Sequence, residues 1–142
     1  MPGLLIWTVN LALIANGAFM LLWPETWYGF VPGVVDTGPF NPHFVRDIGS
    51  AYLVAGGSLL WFTLEKRARP AAIAAAAFLA LHAVVHLWDA VAGREALVQL
   101  LEDGPIVILP AALIFKVARP RRRSPKETSD AEMAHAAADR RL

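Results

Sequence analysis

Long apolar stretches alternate with short polar ones along this chain. Four apolar segments can be drawn, at about residues 4–23, 42–64, 70–92 and 105–118. A helix rises about 1.5 Å per residue, so roughly 20 residues cross a hydrocarbon core of about 30 Å. The pattern therefore predicts an all-α fold, an integral membrane four-helix bundle within residues 1–118, followed by a polar, basic tail at 119–142.

Proline and capping residues indicate where these helices begin. Asn41 followed by Pro42 is typical of an N-cap and a first helical position, where a missing N–H costs nothing. Pro70 plays the same part for the third helix, after a polar turn of about five residues at 65–69. The fourth helix is expected to start near Pro105.

The composition supports a membrane location. Of the 142 residues, 56% are hydrophobic and only 18% are charged, and the mean hydropathy is +0.46, which is more apolar than a soluble domain of this size needs. There is no cysteine, so disulfides, thiolate metal sites and iron-sulfur clusters are excluded. Any metal would have to be bound by histidine and carboxylate ligands.

The distribution of cations predicts the orientation. Eleven of the 13 Lys and Arg residues lie either in the turn at 65–69 or from Lys116 onwards. By the positive-inside rule, both termini and the turn are cytoplasmic in a multi-pass protein of the bacterial inner membrane. The loop from Pro24 to Phe40 then lies outside, and its aromatic residues are expected to fold back on the helices. The basic tail is expected to contact anionic lipid, not nucleic acid.

A series of ionisable residues interrupts the third apolar segment. His82, His86 and Asp89 are spaced H-x-x-x-H-x-x-D, which places them on one stripe of a helix. A charged side chain at membrane depth costs about 2.5 kcal/mol or more, so such a stripe is a functional-site hypothesis by default.

A second polar stripe is expected at the same depth. Because the turn between the second and third helices is short, these helices should form an antiparallel hairpin reflected about position 67 or 68. Reflection places Arg46 level with Asp89, and Tyr52 near His82. The polar residues of the second helix that would face the stripe are His43, Arg46, Asp47 and Ser50.

Three roles for this cluster remain open. The first is a metal site, in which His82 and His86 with Asp47 or Asp89 bind zinc, copper or non-haem iron. Haem is disfavoured, because two histidines on one helix cannot clamp opposite faces of one porphyrin. The residues expected to orient the ligands or contact a small molecule are His43, Arg46, Tyr52 and Asn16.

The second role is a quinone, lipid or small-molecule pocket that opens to the outer leaflet. The third is purely structural: Arg46 pairs with Asp89 and the cluster fixes helix packing in a membrane complex or homo-oligomer. No reaction follows from any of these alternatives, so enzymatic activity is left unassigned.

The start of the second helix also carries a resemblance. Arg46 to Gly57, with the spacing R-x-x-G-x-x-x-x-x-x-G after a helix ending in Leu22-Trp23-Pro24, resembles small bacterial four-helix membrane proteins of the DoxX-like type. The resemblance covers the core helices and implies the same four-helix membrane fold. It also implies a role as an accessory subunit of a membrane redox complex, since some proteins of that type accompany quinone-linked oxidoreductases. The histidine stripe is no part of it.

Overall fold

A computed structural model describes residues 2–93, 108–114 and 116 of the chain. The described residues are helical with short connections, and they include no β-strand. Residues 108–114 are also helical. The four longer elements are α1 (Pro2–Leu22), α2 (Pro24–Phe30), α3 (Pro42–Leu64) and α4 (Arg69–Val91). The observed bounds of α1, α3 and α4 agree with the apolar segments within two residues, and α2 lies in the predicted loop.

The ends of α3 are set by local chemistry. At its start the Asn41 side chain accepts hydrogen bonds from the backbone N–H groups of His43 (3.1 Å) and Phe44 (3.2 Å), which satisfies two donors that have no partner inside the helix. At its other end a 3-10 turn, Lys66–Ala68, leads directly into α4. The predicted N-cap and the short predicted turn are therefore confirmed.

Helices α1 and α3 are antiparallel and approach each other closely at glycines. A Cβ atom placed on Gly17 would lie 2.6 Å from the Gly49 carbonyl oxygen and 2.9 Å from the Leu53 nitrogen. A Cβ on Gly56 would lie 2.7 Å from a side-chain carbon of Ile14. The absence of side chains at these positions thus permits the two backbones to touch.

One hydrophobic core is shared by α1, α3, α4 and segment 108–114. Its members come from α1, α3, α4, segment 108–114 and the turn before α4: Ile6, Leu13, Leu59, Phe62, Ala68, Ala72, Ala76, Leu79, Ala111 and Ile114. Each of the four predicted apolar segments therefore contributes to the core. The expected start of the fourth helix near Pro105 and the basic tail at 119–142 lie outside the described residues.

The segment from Pro24 to Phe40 folds back on the helices, as its aromatic residues predict. The Trp27 indole N–H donates to the Asn16 side-chain oxygen of α1 at 2.9 Å. The Tyr28 hydroxyl donates to the Gly38 carbonyl at 2.6 Å, which closes the segment on itself. We call this end of the molecule the loop end, and the end at residues 65–69 the turn end.

Two stretches are long and apolar enough to cross a membrane by length and composition. They are Leu4–Leu22 and Lys66–Val91. In the most apolar part of each stretch, only 28% and 22%, respectively, is buried inside the protein. Helix α3 is long enough as well, but its glycines, its serines and the pair Arg46 and Asp47 make it less apolar. Within the described residues, two of the expected membrane spans are therefore both long enough and apolar enough to cross a membrane.

Candidate functional site

The two histidines of α4 face each other. They lie one turn apart on the same side of the helix, and their Nε2 atoms are 3.3 Å apart. Their ring centroids are 4.9 Å apart, with the ring planes at 80°. Both side chains are half-buried. The spacing of His82 and His86 predicted a common stripe, and the structure brings their donor atoms to a common point.

Two aromatic rings surround the first of these histidines. Tyr52 of α3 packs edge-on against His82, with centroids 5.6 Å apart and planes at 83°. Phe78, one turn earlier on α4, stacks with His82 at 6.1 Å and 22° and also contacts Tyr52 at 5.5 Å. The predicted proximity of Tyr52 and His82 is confirmed. The orientation of the His82 ring is thus restricted by contacts from both helices.

Arg46 contacts α1 and not α4. Its Nε donates to the Leu21 carbonyl at 3.3 Å, near the end of α1 where the last carbonyl groups have no partner inside the helix. The expected Arg46–Asp89 ion pair is not formed, although both residues are described. Reflection about the turn estimates depth but not rotation, and the close approach of α1 and α3 carries the guanidinium towards α1.

The other two polar residues of the second stripe lie at the surface. His43 Nε2 and Asp47 Oδ2 are 3.4 Å apart, and the two side chains are 86% and 63% exposed. They form a pair within the first turns of α3. The Ser50 hydroxyl donates to the Arg46 carbonyl at 2.9 Å, one turn back on the same helix. The side chains of His43, Asp47 and Ser50 therefore interact with other residues of α3 at the loop end.

Asn16 connects α1 to the loop end. Besides accepting the Trp27 hydrogen bond, its amide nitrogen lies 3.6 Å from the Met20 sulfur. Its described contacts hold α2 against α1, and Tyr52 is not among them. The role proposed for Asn16 at a binding site stays a prediction.

The acidic candidates do not complete a metal-ligand set. Among the described residues, no group of three or more His, Asp or Glu side chains is close enough together to hold a metal ion. Asp47 is paired with His43 at the surface. The part of the chain that is described thus supplies two converging nitrogen donors, His82 and His86.

Two further residues, Phe78 and Asn10, matter in the structure, and of these Phe78 was not predicted from the sequence. Phe78 precedes His82 by four residues, so the same spacing that joined the histidines already indicated it. Asn10 is fully buried and its amide donates to the Thr63 hydroxyl at 3.0 Å, which links α1 to α3 near the turn end. A hydrogen bond to another helix is what a polar side chain within an apolar helix is expected to form, and Asn10 forms one.

These contacts define a helical protein with a half-buried cluster of imidazole and aromatic rings between α3 and α4. We call Tyr52, Phe78, His82 and His86 the imidazole cluster. The chain matches no family model, no curated protein and no solved structure. Its function is therefore inferred from the geometry of the cluster and from the surface around it.

Proposed function

We propose that the chain is a multi-pass inner-membrane protein, a four-helix bundle that binds a metal ion or another small ligand at the imidazole cluster. The membrane part of the proposal is supported by the surface. Large apolar side chains are exposed along both candidate spans, among them Leu11 (62%), Leu81 (68%) and Val91 (77%). In water such a surface would favour aggregation, whereas lipid chains solvate it.

Tryptophans at the two ends of the helices support the same interpretation. Trp7 and Trp61 are exposed towards the turn end, and Trp23 and Trp88 towards the loop end. Trp7 and Trp23 are separated by 16 residues of helix, or about 24 Å at 1.5 Å per residue. This separation suits a hydrocarbon core of about 30 Å with indole rings at both interfaces.

Charge supports an orientation with the turn end in the cytoplasm. Lys66 and Arg67 are exposed at the turn end, while the loop end carries the exposed acidic residues Glu25, Asp36 and Asp47. An excess of cations on one side favours the cytoplasm for that side. The loop end, with α2 and the cluster below it, would then face outwards.

The convergence of the His82 and His86 nitrogens is the observation that carries the ligand-binding function. The two Nε2 atoms lie on one face of α4 and are 3.3 Å apart, so both can approach one small ligand. The packing of Tyr52 against His82 across the two helices supports the structural role as well.

The DoxX-like resemblance adds a partner to the proposal. It favours an accessory subunit of a membrane redox complex, in which the cluster would hold a redox-linked metal or a quinone. The exposed apolar surface would serve a neighbouring membrane protein as well as it serves lipid.

The test is the content of the protein purified from membranes in mild detergent. Elemental analysis and native mass spectrometry should find a metal or a small molecule bound to the wild-type chain and lost from the double variant His82→Gln, His86→Gln. The control is His43→Gln, which removes an exposed histidine that also has a partner four residues away. A wild-type chain without any bound species, or a species retained by the double variant, would contradict the proposal.

A further inference from the structure

The distance between the two imidazole nitrogens is informative about the ligand. The Nε2 atoms of His82 and His86 are 3.3 Å apart, close enough for one ring to donate a hydrogen bond to the other. Two nitrogens bound to one tetrahedral ion at about 2.0–2.1 Å would be about 3.3–3.4 Å apart. Neighbouring square-planar positions at the same bond length would bring them to about 2.9 Å. The observed separation also agrees with that of two ligands of one tetrahedral ion.

The positions of the rings support the same geometry. Two imidazoles that point their Nε2 lone pairs at one tetrahedral ion would have centroids about 5 Å apart, because each centroid lies just over 1 Å behind its nitrogen. The His82 and His86 centroids are 4.9 Å apart. The nitrogens therefore converge, and neither ring has to turn away from the other to share an ion.

The surroundings hold the His82 imidazole in this position. Tyr52 contacts its ring edge-on from α3, and Phe78 stacks on it from the preceding turn. A ligand whose ring is already oriented loses less conformational freedom when the ion binds. The helix supplies the remaining constraint, since residues four apart lie on one face.

From this geometry we propose that His82 and His86 bind one tetrahedral transition-metal ion, with zinc as the type case, through their Nε2 atoms. The inference rests on the proposed ligand-binding function of the imidazole cluster and names its ligand class. Within the described part of the chain these histidines supply two of the four donors that a tetrahedral ion takes.

Cobalt(II) is the probe, because its visible spectrum distinguishes tetrahedral from octahedral coordination. The full chain, purified in mild detergent and treated with chelator, is titrated with cobalt chloride and then with zinc chloride. We expect the strong visible absorption of tetrahedral cobalt to saturate at one ion per chain and to be displaced by zinc. The variants His82→Gln and His86→Gln should each weaken cobalt binding by more than about 100-fold, the upper range for the loss of a mere supporting group. His43→Gln should bind as the wild type does.

The outcomes separate this inference from the proposed function. No tetrahedral spectrum, or a spectrum unchanged in both histidine variants, would overturn the metal assignment. If native mass spectrometry then still finds an organic ligand that depends on His82, the ligand-binding function stands and only its metal is wrong. If neither ion nor organic molecule depends on the histidines, both proposals fail. Helix content measured by circular dichroism should be equal in all variants. A loss of binding can then be attributed to the loss of the imidazole and not to unfolding.

Discussion

At Gly17 the contact between α1 and α3 depends on a single missing carbon. The atoms nearest to a Cβ added at this position belong to the backbone of α3, at Gly49 and Leu53, so no side-chain rotation can make room. A steric conflict of this kind has to be relieved by moving a helix. At Gly57, on the other face of α3, a Cβ would have nothing within 4 Å. Both glycines lie within a helix, but only at Gly57 is there room for a Cβ atom.

We therefore expect Gly17→Ala to destabilise the protein by about 1–3 kcal/mol, the usual cost of overpacking. Gly57→Ala is the matched control and should be neutral or slightly stabilising, because alanine has a higher helix propensity than glycine by about 0.8–1 kcal/mol. Thermal unfolding in one mild detergent measures both. Equal melting temperatures for the two variants would show that α1 and α3 do not pack through Gly17.

At the scale of elements, the loop end is a short helix held by a few polar contacts. Helix α2 has seven residues, too few to be stable alone, so its position depends on bonds to neighbouring segments. The hydrogen bond from Trp27 to Asn16 joins α2 to α1, and the edge-to-face pair of Phe19 and Phe30 adds an apolar contact. Loss of either should release the segment locally while the core stays folded.

Trp27→Phe tests this attachment, because it keeps an aromatic ring and removes only the N–H donor. A hydrogen bond of this kind contributes about 0.5–1.5 kcal/mol, so the open state should become about 2–13-fold more populated. A protease specific for glutamate would report it as faster cleavage after Glu25 in the first turn of α2. The control is Trp23→Phe, whose ring is 59% exposed. Equal cleavage rates for both variants would mean that the bond does not hold α2.

For the whole molecule, the proposed membrane orientation has a direct test. The chain contains no cysteine, so a single introduced thiol is the only reactive one. Asp36→Cys places it in the loop end, and Glu65→Cys places it at the turn end without removing a cation. On intact cells an impermeant maleimide should label position 36, and position 65 should react only after lysis. Labelling at position 65 alone would reverse the orientation.

At the site, the sequence predicted which residues of α3 and α4 lie at the same level along the helices. It did not predict how each helix is rotated about its own axis. A turn of known length sets which residues of α3 and α4 lie level, and the contact of Tyr52 with His82 follows from it. Reflection about the same turn placed Arg46 beside Asp89, whereas the guanidinium contacts the Leu21 carbonyl. Helix rotation depends on which faces pack, and the face of α3 that carries Gly49 and Gly56 packs on α1.

By itself the sequence determined the long helices α1, α3 and α4 and their approximate ends. Apolar length, Asn41 as a cap, the prolines and the polar turn act locally, so they can be read along the chain without knowing its neighbours. Only the tertiary structure decided which polar residues meet. It brought Arg46 to the Leu21 carbonyl of α1 and left His43 and Asp47 at the surface, because side-chain partners depend on the distance and rotation between helices that close packing sets.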